Sequence, residues 1–369
     1  MPRLAVIGGG PAGLIAAREA AKMGVEVTVF EEHSEIGEPE KCAGLLSLSG
    51  LKRIGVPTRG PYLQNLVRGA VIWSVTGRRY LIDSRLPVAA VVDRKLFDQV
   101  LAKQAEKAGA KILCGNRVKR VNKCGSTFSL TTTKGNFHSE WVIDAEGAGA
   151  SILRNFLKVG TSSNKWIPAI QLIVEGHNLD KRFVYIYFKR YLPHFFSYLV
   201  PINDDLGKLG VASRIPDLRS RLKKFLVEEF SDVRIISKSS HVLYTGSPVD
   251  SHLMFPLRFI PVGDAAGHVK ATTGGGVIMG GLISANIALA IAEELKGGFS
   301  GKFLARSEDI IRELKRIAII RNLIKGMNSI TLALFLELAL SKLIKVYLSR
   351  SADMDFQASS ILKLKHNLY

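Results

Sequence analysis

The sequence predicts an α/β protein: a Rossmann-type dinucleotide-binding domain joined to an antiparallel β-sheet substrate domain and a C-terminal helical region. Three observations carry this. Leu4–Ile7 is a short apolar run followed at once by Gly8, Gly10 and Gly13, the G-x-G-x-x-G spacing that leaves a buried parallel strand and opens a helix. Between about Gly160 and Asp250 the pattern changes to longer strands with alternating faces. Val262-Gly-Asp264 and Gly274–Gly276 then lead into a second long apolar helix.

The first glycine of the opening motif permits the tight turn. Gly10 lets a pyrophosphate approach the backbone, and Gly13 lets the following helix lie close to the strand. The helix N-terminus faces the phosphates with free N–H groups and the positive end of its dipole. Val27–Phe30 reads as the second strand. It ends at Glu31, about 20 residues past the glycines, where an acid hydrogen-bonds a ribose hydroxyl. An acid there disfavours a 2′-phosphate, so the expected ligand is FAD or NAD rather than NADP.

Gly37 to Leu46 reads as a loop passing over the helix N-terminus. Leu66–Ile72 and Arg79–Ile82, turning at Thr76-Gly77, are expected to form an inserted β layer around 60–90. Asp93 is a candidate cap for a helix running to about Ala108, with Leu96, Val100, Leu101 and Ala105 as its apolar stripe. Short strands are expected at Lys111–Cys114, Arg117–Asn122, Thr127–Thr132 and Trp141–Ile143.

In the later stretch, strands are expected at Ile167–Val174, Phe183–Lys189, Phe195–Pro201 and Lys208–Ser213. Val184, Ile186 and Phe188 alternate with Tyr185, Tyr187 and Lys189, giving one aliphatic and one aromatic-rich face. Asp217–Phe230 fits a capped amphipathic helix. No charge occurs from Ala271 to Ala292, which is long enough to span a bilayer. Its glycines, with Ser284 and Asn286, instead suit a helix packed tightly on a sheet. Ile330–Leu348 is interrupted by Glu337, Lys342 and Lys345, a pattern for an amphipathic helix or a helical cap. The expected division is 1–160 and 256–298 for the two parts of the dinucleotide domain, 161–255 for the substrate domain and 299–369 for the helices.

The 369 residues exceed one ordinary domain, and the formal net charge is +19. Nucleic acid is disfavoured as the acidic partner, because the basic residues are spread along the chain without a nucleic-acid motif. An anionic membrane surface or a phosphate-bearing lipid fits better. Cys42, Cys114 and Cys124 form no C-x-x-C pair, which suits a reducing cytoplasm. Since the first strand starts near Arg3, no signal peptide is expected before it, and no metal site is expected.

Four motifs extend the reading: Gly8-Gly-Gly-Pro-Ala-Gly13, Glu38-Pro-Glu-Lys-Cys-Ala-Gly44, Asp93-Arg94 with Phe97-Asp98, and Val262-Gly-Asp-Ala-Ala-Gly-His with Thr273-Gly-Gly-Gly276. With them the chain resembles the flavoprotein superfamily of aromatic hydroxylases and geranylgeranyl reductases, most closely the archaeal-type geranylgeranyl reductase branch. The resemblance implies a p-hydroxybenzoate hydroxylase-like fold with FAD. It implies pyrophosphate contact at Gly13, with Gly8 and Gly10 in the same loop, and adenosine ribose at Glu31. Arg94 would meet the phosphates or ribityl chain, and Val118 the adenine. Asp264 would meet the ribityl hydroxyls, and the N–H groups at Gly276 and Val277 would lie near the flavin pyrimidine. Cys42 and Ala43 would belong to the flavin-side loop, with Cys42 as the catalytic candidate. His268 could donate a proton near the flavin or be an ordinary satisfied histidine.

Two departures stand out. Ala145-Glu146-Gly147 carries glutamate in place of the superfamily's aspartate, which weighs against direct NADPH reduction. Phe195-Phe-Ser-Tyr-Leu-Val-Pro201 alters the reductases' aromatic signature. The implied activity is reduction of geranylgeranyl double bonds in an isoprenoid lipid or its precursor by hydride from reduced FAD. Its expected partners are a prenylated lipid or prenyl phosphate and an electron donor, ferredoxin or NAD(P)H. The expected location is cytoplasmic, with peripheral attachment to the inner face of the cell membrane. The rival readings are an FAD monooxygenase or halogenase on an aromatic substrate, and a non-catalytic flavin-bearing membrane-surface redox protein.

Overall fold

The computed structural model describes residues 3–40, 42–158, 165–325, 327, 331, 337 and 353–366. A five-stranded parallel sheet runs in the order Phe259–Pro261, Trp141–Asp144, Leu4–Ile7, Val27–Phe30, Lys111–Leu113. Leu4 sits opposite Trp141 and Val27, and Ile7 opposite Asp144 and Phe30. Because side chains alternate across a strand, Leu4 and Val6 enter one core and Ala5 and Ile7 another. The first core holds helices Pro11–Lys22, Val277–Leu295 and Gly301–Lys325. The second holds an antiparallel meander of Val118–Cys124, Thr127–Thr132 and Gly135–Ser139. Burial on both faces explains why Leu4–Ile7 is continuously apolar.

The second layer is a seven-stranded sheet in the order 234–244, 166–175, 206–212, 197–201, 183–187, 69–73, 79–83. It is antiparallel except where Phe183–Tyr187 runs parallel to Gly69–Trp73. The β segment expected around 60–90 therefore divides. Leu63–Val67 pairs with Ala89–Val92, which also pairs with Leu45–Ser47, while the 69–83 hairpin extends the large sheet. The cause is apolar: Val71 shares a core with Tyr185 and Tyr187, and Trp73 stacks on Tyr187 with ring centroids 6.3 Å apart.

The face assignments also sharpen. Tyr185 and Tyr187 bury beneath helix Leu218–Glu229, where Tyr187 meets Phe225 and Phe230 edge-on at 5.3 and 5.7 Å. The aromatic face is thus the helix-covered core, and the aliphatic Val184 and Ile186 face a large cavity. Arg234–Tyr244, an eleven-residue edge strand, had no sequence expectation. Its run Ser237-Lys-Ser-Ser240 breaks the apolar alternation, and an edge strand paired on one side tolerates this.

Helix Val277–Leu295 is, among the described residues, the one helix long and apolar enough to cross a membrane. The fold buries 61% of its most apolar window. A Cβ on Gly281 would lie 2.7 Å from Ile15 Cδ1, and one on Gly280 3.2 Å from Gly263 Cα. These glycines let the helix pack against its neighbours, as expected. The Ile330–Leu348 segment lies outside the described residues apart from 331 and 337. The C-terminal segment returns to the first domain. Glu313 on helix Gly301–Lys325 accepts from Ala358 N at 2.8 Å, Ser359 N at 3.1 Å and Ser359 Oγ at 2.7 Å, capping helix Gln357–His366.

Candidate functional site

One cavity of about 1410 Å³ runs from the glycine loop to the inner face of the large sheet. Gly8, Gly10, Glu31, Cys42, Ala43, Arg94, Val118, Asp264, Gly276 and Val277 all line it, although they span 270 positions of the chain. Gly13 does not. It stands behind the loop, where a Cβ would press into the Gly8 carbonyl oxygen and lie 3.2 Å from Val6 Cγ1. Its observed role is close packing of helix on strand. Gly8 adopts φ +100°, a backbone region closed to most residues. A Cβ on Gly10 would meet nothing within 4 Å, leaving the backbone open to the cavity.

Helix Pro11–Lys22 opens with proline at its first turn, where the missing N–H costs nothing. Glu31 ends its strand above the loop. Its Oε2 accepts from Gly9 N at 2.7 Å, and its Oε1 accepts from His33 N at 2.9 Å and lies 2.6 Å from His33 Nδ1. Asp93 caps helix Arg94–Lys107 through Leu96 N at 2.9 Å, as expected. Arg94 reaches one turn forward along the helix to a two-point grip on Asp98, at 3.1 and 2.9 Å. Burial works against its charge, but Asp98, and then the Cys42 sulfur, hold the guanidinium well above its ordinary value. Burial raises the Asp98 carboxyl and Arg94 pulls it back. The pair presents a fixed cation to the cavity, the arrangement that suits a phosphate.

Asp264 sits on the short turn between strand Phe259–Pro261 and helix Val277–Leu295. Its carboxyl is open to the cavity yet walled by protein. Desolvation raises its pKa, and Arg94 opposes that rise. Gly276 is the N-cap of the long helix and makes no side-chain cap. A Cβ there would fall 2.8 Å from Asp264 Oδ1, so glycine keeps carboxylate and helix terminus together. Glu146, the departure in the Asp-Gly motif, is a helix cap. It accepts from Ser151 N at 2.9 Å, Ile152 N at 2.7 Å and Leu153 N at 3.0 Å, contacts that use its extra methylene.

The Gly37–Leu46 loop is pinned by groups that sequence reasoning missed. Lys208 Nζ, 1% exposed, donates to Glu40 Oε1 at 2.7 Å and Val92 O at 3.0 Å. Gln171 Nε2 donates to Cys42 O at 3.3 Å, and Gln171 Oε1 accepts from the Tyr198 hydroxyl at 3.0 Å. Burial, then Cys42, pushes the Tyr198 pKa up, so its O–H is retained. Phe195, Phe196 and Tyr198 line the cavity, whereas Tyr185 and Tyr187 do not. A signal for Lys208 was present: it is the one charge in Leu206–Ala212, an otherwise apolar and glycine strand. The C-terminal closure had no local signal. There Asp355, 1% exposed, accepts from Lys270 Nζ at 2.7 Å and from the Ser47 hydroxyl.

His268 is a core residue whose Nδ1 has no hydrogen-bond partner among the described residues. It is fully buried, lies off the cavity wall, and its Nε2 is 3.2 Å from Ser251 Oγ and 3.3 Å from Val249 O. Burial lowers its pKa to about 4. The unfolded chain protonates near the ordinary value of about 6.5, so the folded form's advantage is complete above that and lost as pH falls toward 4. Stability should drop by up to about 3 kcal/mol across this window. Urea midpoints at pH 7 and pH 5 would check it, with a smaller drop in His268→Gln.

Comparison with known proteins bears on this geometry. The model of the FAD dependent oxidoreductase family matches residues 4–153. An uncharacterized protein of Methanocaldococcus jannaschii is 30% identical over 98% of this chain and 94% of its own length. The chain belongs to the FAD-dependent oxidoreductases. Digeranylgeranylglycerophospholipid reductase 1 of Methanothermobacter thermautotrophicus is 27% identical, covering 84% of this chain and 81% of that protein. Among solved structures, a geranylgeranyl bacteriochlorophyll reductase-like protein of Thermoplasma acidophilum superimposes with a TM-score of 0.84 at 20% identity, covering 100% and 99% of the two chains. A p-nitrophenol 4-monooxygenase of Pseudomonas putida gives 0.72 at 17% identity over 98% of each. The fold is therefore the hydroxylase-type flavoprotein fold, and the resemblance to geranylgeranyl reductases stands.

This FAD-dependent oxidoreductase offers FAD a fitting site. The open Gly10 backbone, the charged Arg94, the cavity-facing Asp264 and the uncapped helix start at Val277 are the donors and acceptors that a pyrophosphate, ribityl chain and flavin ring require.

Proposed function

We propose that this oxidoreductase reduces carbon–carbon double bonds in the geranylgeranyl chains of an isoprenoid membrane lipid or its precursor. The observation that carries the reading is the continuity of one cavity from the dinucleotide residues to an apolar wall of Val184, Ile186, Phe195, Phe196, Tyr198 and Val200. At about 1410 Å³ it exceeds the roughly 300–1,000 Å³ of a single small-ligand site, leaving room for a long apolar chain beside the cofactor. The reductase names of the relatives support the same class of substrate.

Bound and reduced, FAD would supply the hydride for one alkene carbon, with a proton completing the other, so that two hydrogens add per double bond. The chain's own residues hold the parts. Glu31 takes the adenosine ribose, the Val118 backbone the adenine, Arg94 the phosphates and ribityl chain, and Asp264 the ribityl hydroxyls. The N–H groups at Gly276 and Val277 stabilise negative charge on the pyrimidine. Cys42 and Ala43 close the flavin side. The apolar wall excludes water and fixes the alkene, which an unactivated double bond needs as a hydride acceptor. Electrons arrive from ferredoxin or NAD(P)H.

The test is anaerobic photoreduction of the holoenzyme followed by digeranylgeranylglyceryl phosphate. Flavin re-oxidation with a mass gain of two hydrogens per reduced bond is expected. Oxygen-dependent formation of a hydroxylated product would instead establish the monooxygenase. No re-oxidation, with liposome binding intact, would leave the non-catalytic redox protein.

A further inference from the structure

Between Asp264 and the start of helix Val277–Leu295 the chain makes a tight turn, in which Lys270 N donates to Gly275 O at 3.1 Å and Gly274 N to Lys270 O at 2.8 Å. The turn folds the Lys270 side chain back over the glycines. A Cβ on Gly275 would lie 3.1 Å from Lys270 Cε and 3.6 Å from its Nζ. Lys270, Gly275, Gly276 and Val277 all line the cavity. An ammonium whose side chain is only 11% exposed therefore stands beside the uncapped helix start.

Its counter-charge comes from the C-terminal segment. Asp355, which also lines the cavity, accepts from Lys270 Nζ through Oδ1 at 2.7 Å, and Met354 O accepts from the same ammonium at 3.1 Å. Asp355 Oδ2 accepts from the hydroxyl of Ser47, the N-cap of helix Leu48–Arg53, and overlies Gly50 of that helix. The segment has other anchors. Arg53 pairs with Asp353 at 2.6 Å, and the Thr272 hydroxyl donates to Gln357 Oε1 at 2.5 Å. A buried ion pair is a weak source of stability, because desolvation offsets its attraction. Set in the wall of a cofactor cavity, the same two charges act on whatever charge develops there.

We propose that Lys270 stabilises the reduced flavin and that Asp355, acting through Lys270, limits that stabilisation, so that the C-terminal segment tunes the potential of the cofactor. This rests on the reading that places the flavin pyrimidine at Gly276 and Val277. Taking up two electrons and one proton leaves one negative charge on the pyrimidine, and a fixed charge nearby sets how strongly that state is favoured. An unopposed ammonium would favour it most and make the reduced cofactor a poorer hydride donor. The carboxylate holds the potential lower, which suits delivery to an unactivated double bond.

The experiment measures the two-electron reduction potential of the holoprotein, without lipid, by anaerobic dithionite titration against a dye of known potential. Wild type, Asp355→Asn and Lys270→Met/Asp355→Asn are compared. Asparagine can still accept from Lys270 and Ser47, so Asp355→Asn frees the ammonium charge while keeping the contacts. It should favour the reduced form about tenfold more than the wild type, a rise of about 30 mV. The double variant carries neither charge. It should favour the reduced form about threefold less than the wild type, a fall of about 15 mV, because the ammonium over Gly275 outweighs a carboxylate over Gly50. A change below twofold in Asp355→Asn overturns the proposal. So do shifts of the same sign in both variants, which would mean that the turn had moved. Should Asp355→Asn fail to fold, a double variant at or above the wild-type potential overturns it alone, since replacing both members of a buried pair is tolerated better than stranding one. FAD labelled with carbon-13 at the carbonyl between the pyrimidine nitrogens separates the two readings. Its resonance should move on binding to the wild type and move further in Asp355→Asn. If it keeps its free position in the bound wild type, the placing of the pyrimidine fails and takes this inference with it. If it moves on binding while the potentials stay equal, only the role of Lys270 and Asp355 falls.

Discussion

Gly13→Ala is expected to be purified nearly free of FAD, with the dissociation constant raised about a hundredfold. The glycine does not touch the cavity, so the effect is transmitted. A Cβ at Gly13 has no room: it would press on the Gly8 carbonyl oxygen, with Val6 Cγ1 and Ala145 Cβ at 3.2 and 3.3 Å. Those neighbours are backbone and core, and neither can swing aside. Helix Pro11–Lys22 must then lift from strand Leu4–Ile7, or Gly8 must leave its φ of +100°. Either movement displaces Gly9, whose N–H is bonded to Glu31 Oε2, and the open backbone at Gly10. Overpacking of this kind costs about 1–3 kcal/mol, and the upper end corresponds to about a hundredfold in affinity. The ratio of flavin absorbance to protein absorbance after purification, and a fluorescence titration of the apoprotein with FAD, measure it. Affinity within threefold of the wild type would show that the loop tolerates the movement. The far-UV circular dichroism of the variant should match the wild type, since the displaced contacts are few beside the buried core.

How much of this was legible before any coordinates depends on the distance over which each signal acts. Gly8, Gly10, Gly13 and Glu31 announce themselves because a turn, a close approach and an acid ending the second strand are local features of one βαβ unit. Asp93 and Asp217 were legible as caps for the same reason: the bond is made within three residues. The parallel pairing of Gly69–Trp73 with Phe183–Tyr187 was not, because both partners are ordinary short strands and only the shared core of Val71, Tyr185 and Tyr187 selects them. The alternation at Val184–Lys189 correctly separated two faces. Which face met the cavity depended on helix Leu218–Glu229 covering the tyrosines. Glu146 looked like a weakened cofactor motif and serves as a helix cap, since spacing does not reveal where a longer side chain finds its donors. Asp355, Lys270 and Ser47 lie as far as 308 positions apart, and no pattern of short period connects them.

Lys208 is where such a hidden contact should have the largest consequence for stability. Lys208→Met keeps the length and apolar stem and removes the charge. In the wild type the ammonium, 1% exposed, joins Glu40 on the Gly37–Leu46 loop to the Val92 carbonyl that precedes helix Arg94–Lys107. Without it, Glu40 keeps, among the described residues, only a long contact from Arg94 N at 3.5 Å. The Val92 carbonyl meanwhile loses a charged donor in a buried strand. Removing one partner of a fully buried pair costs about 3–5 kcal/mol. Glu40 retains 31% exposure, so water recovers part of that, and about 3 kcal/mol is expected. Urea unfolding of the FAD-loaded protein measures it. The double variant Lys208→Met/Glu40→Gln should recover about 1–2 kcal/mol, because it removes the stranded carboxylate as well. Full additivity of the two single changes would mean that Lys208 acts only through Val92. The same loop carries Cys42 and Ala43 to the cavity wall, so the variant should also lower the rate of flavin re-oxidation in the assay of the proposed function, and the double variant should regain stability ahead of rate. That order follows from the geometry: neutralising Glu40 removes an uncompensated charge, but it does not restore the bond that holds the loop against the Ala89–Val92 strand.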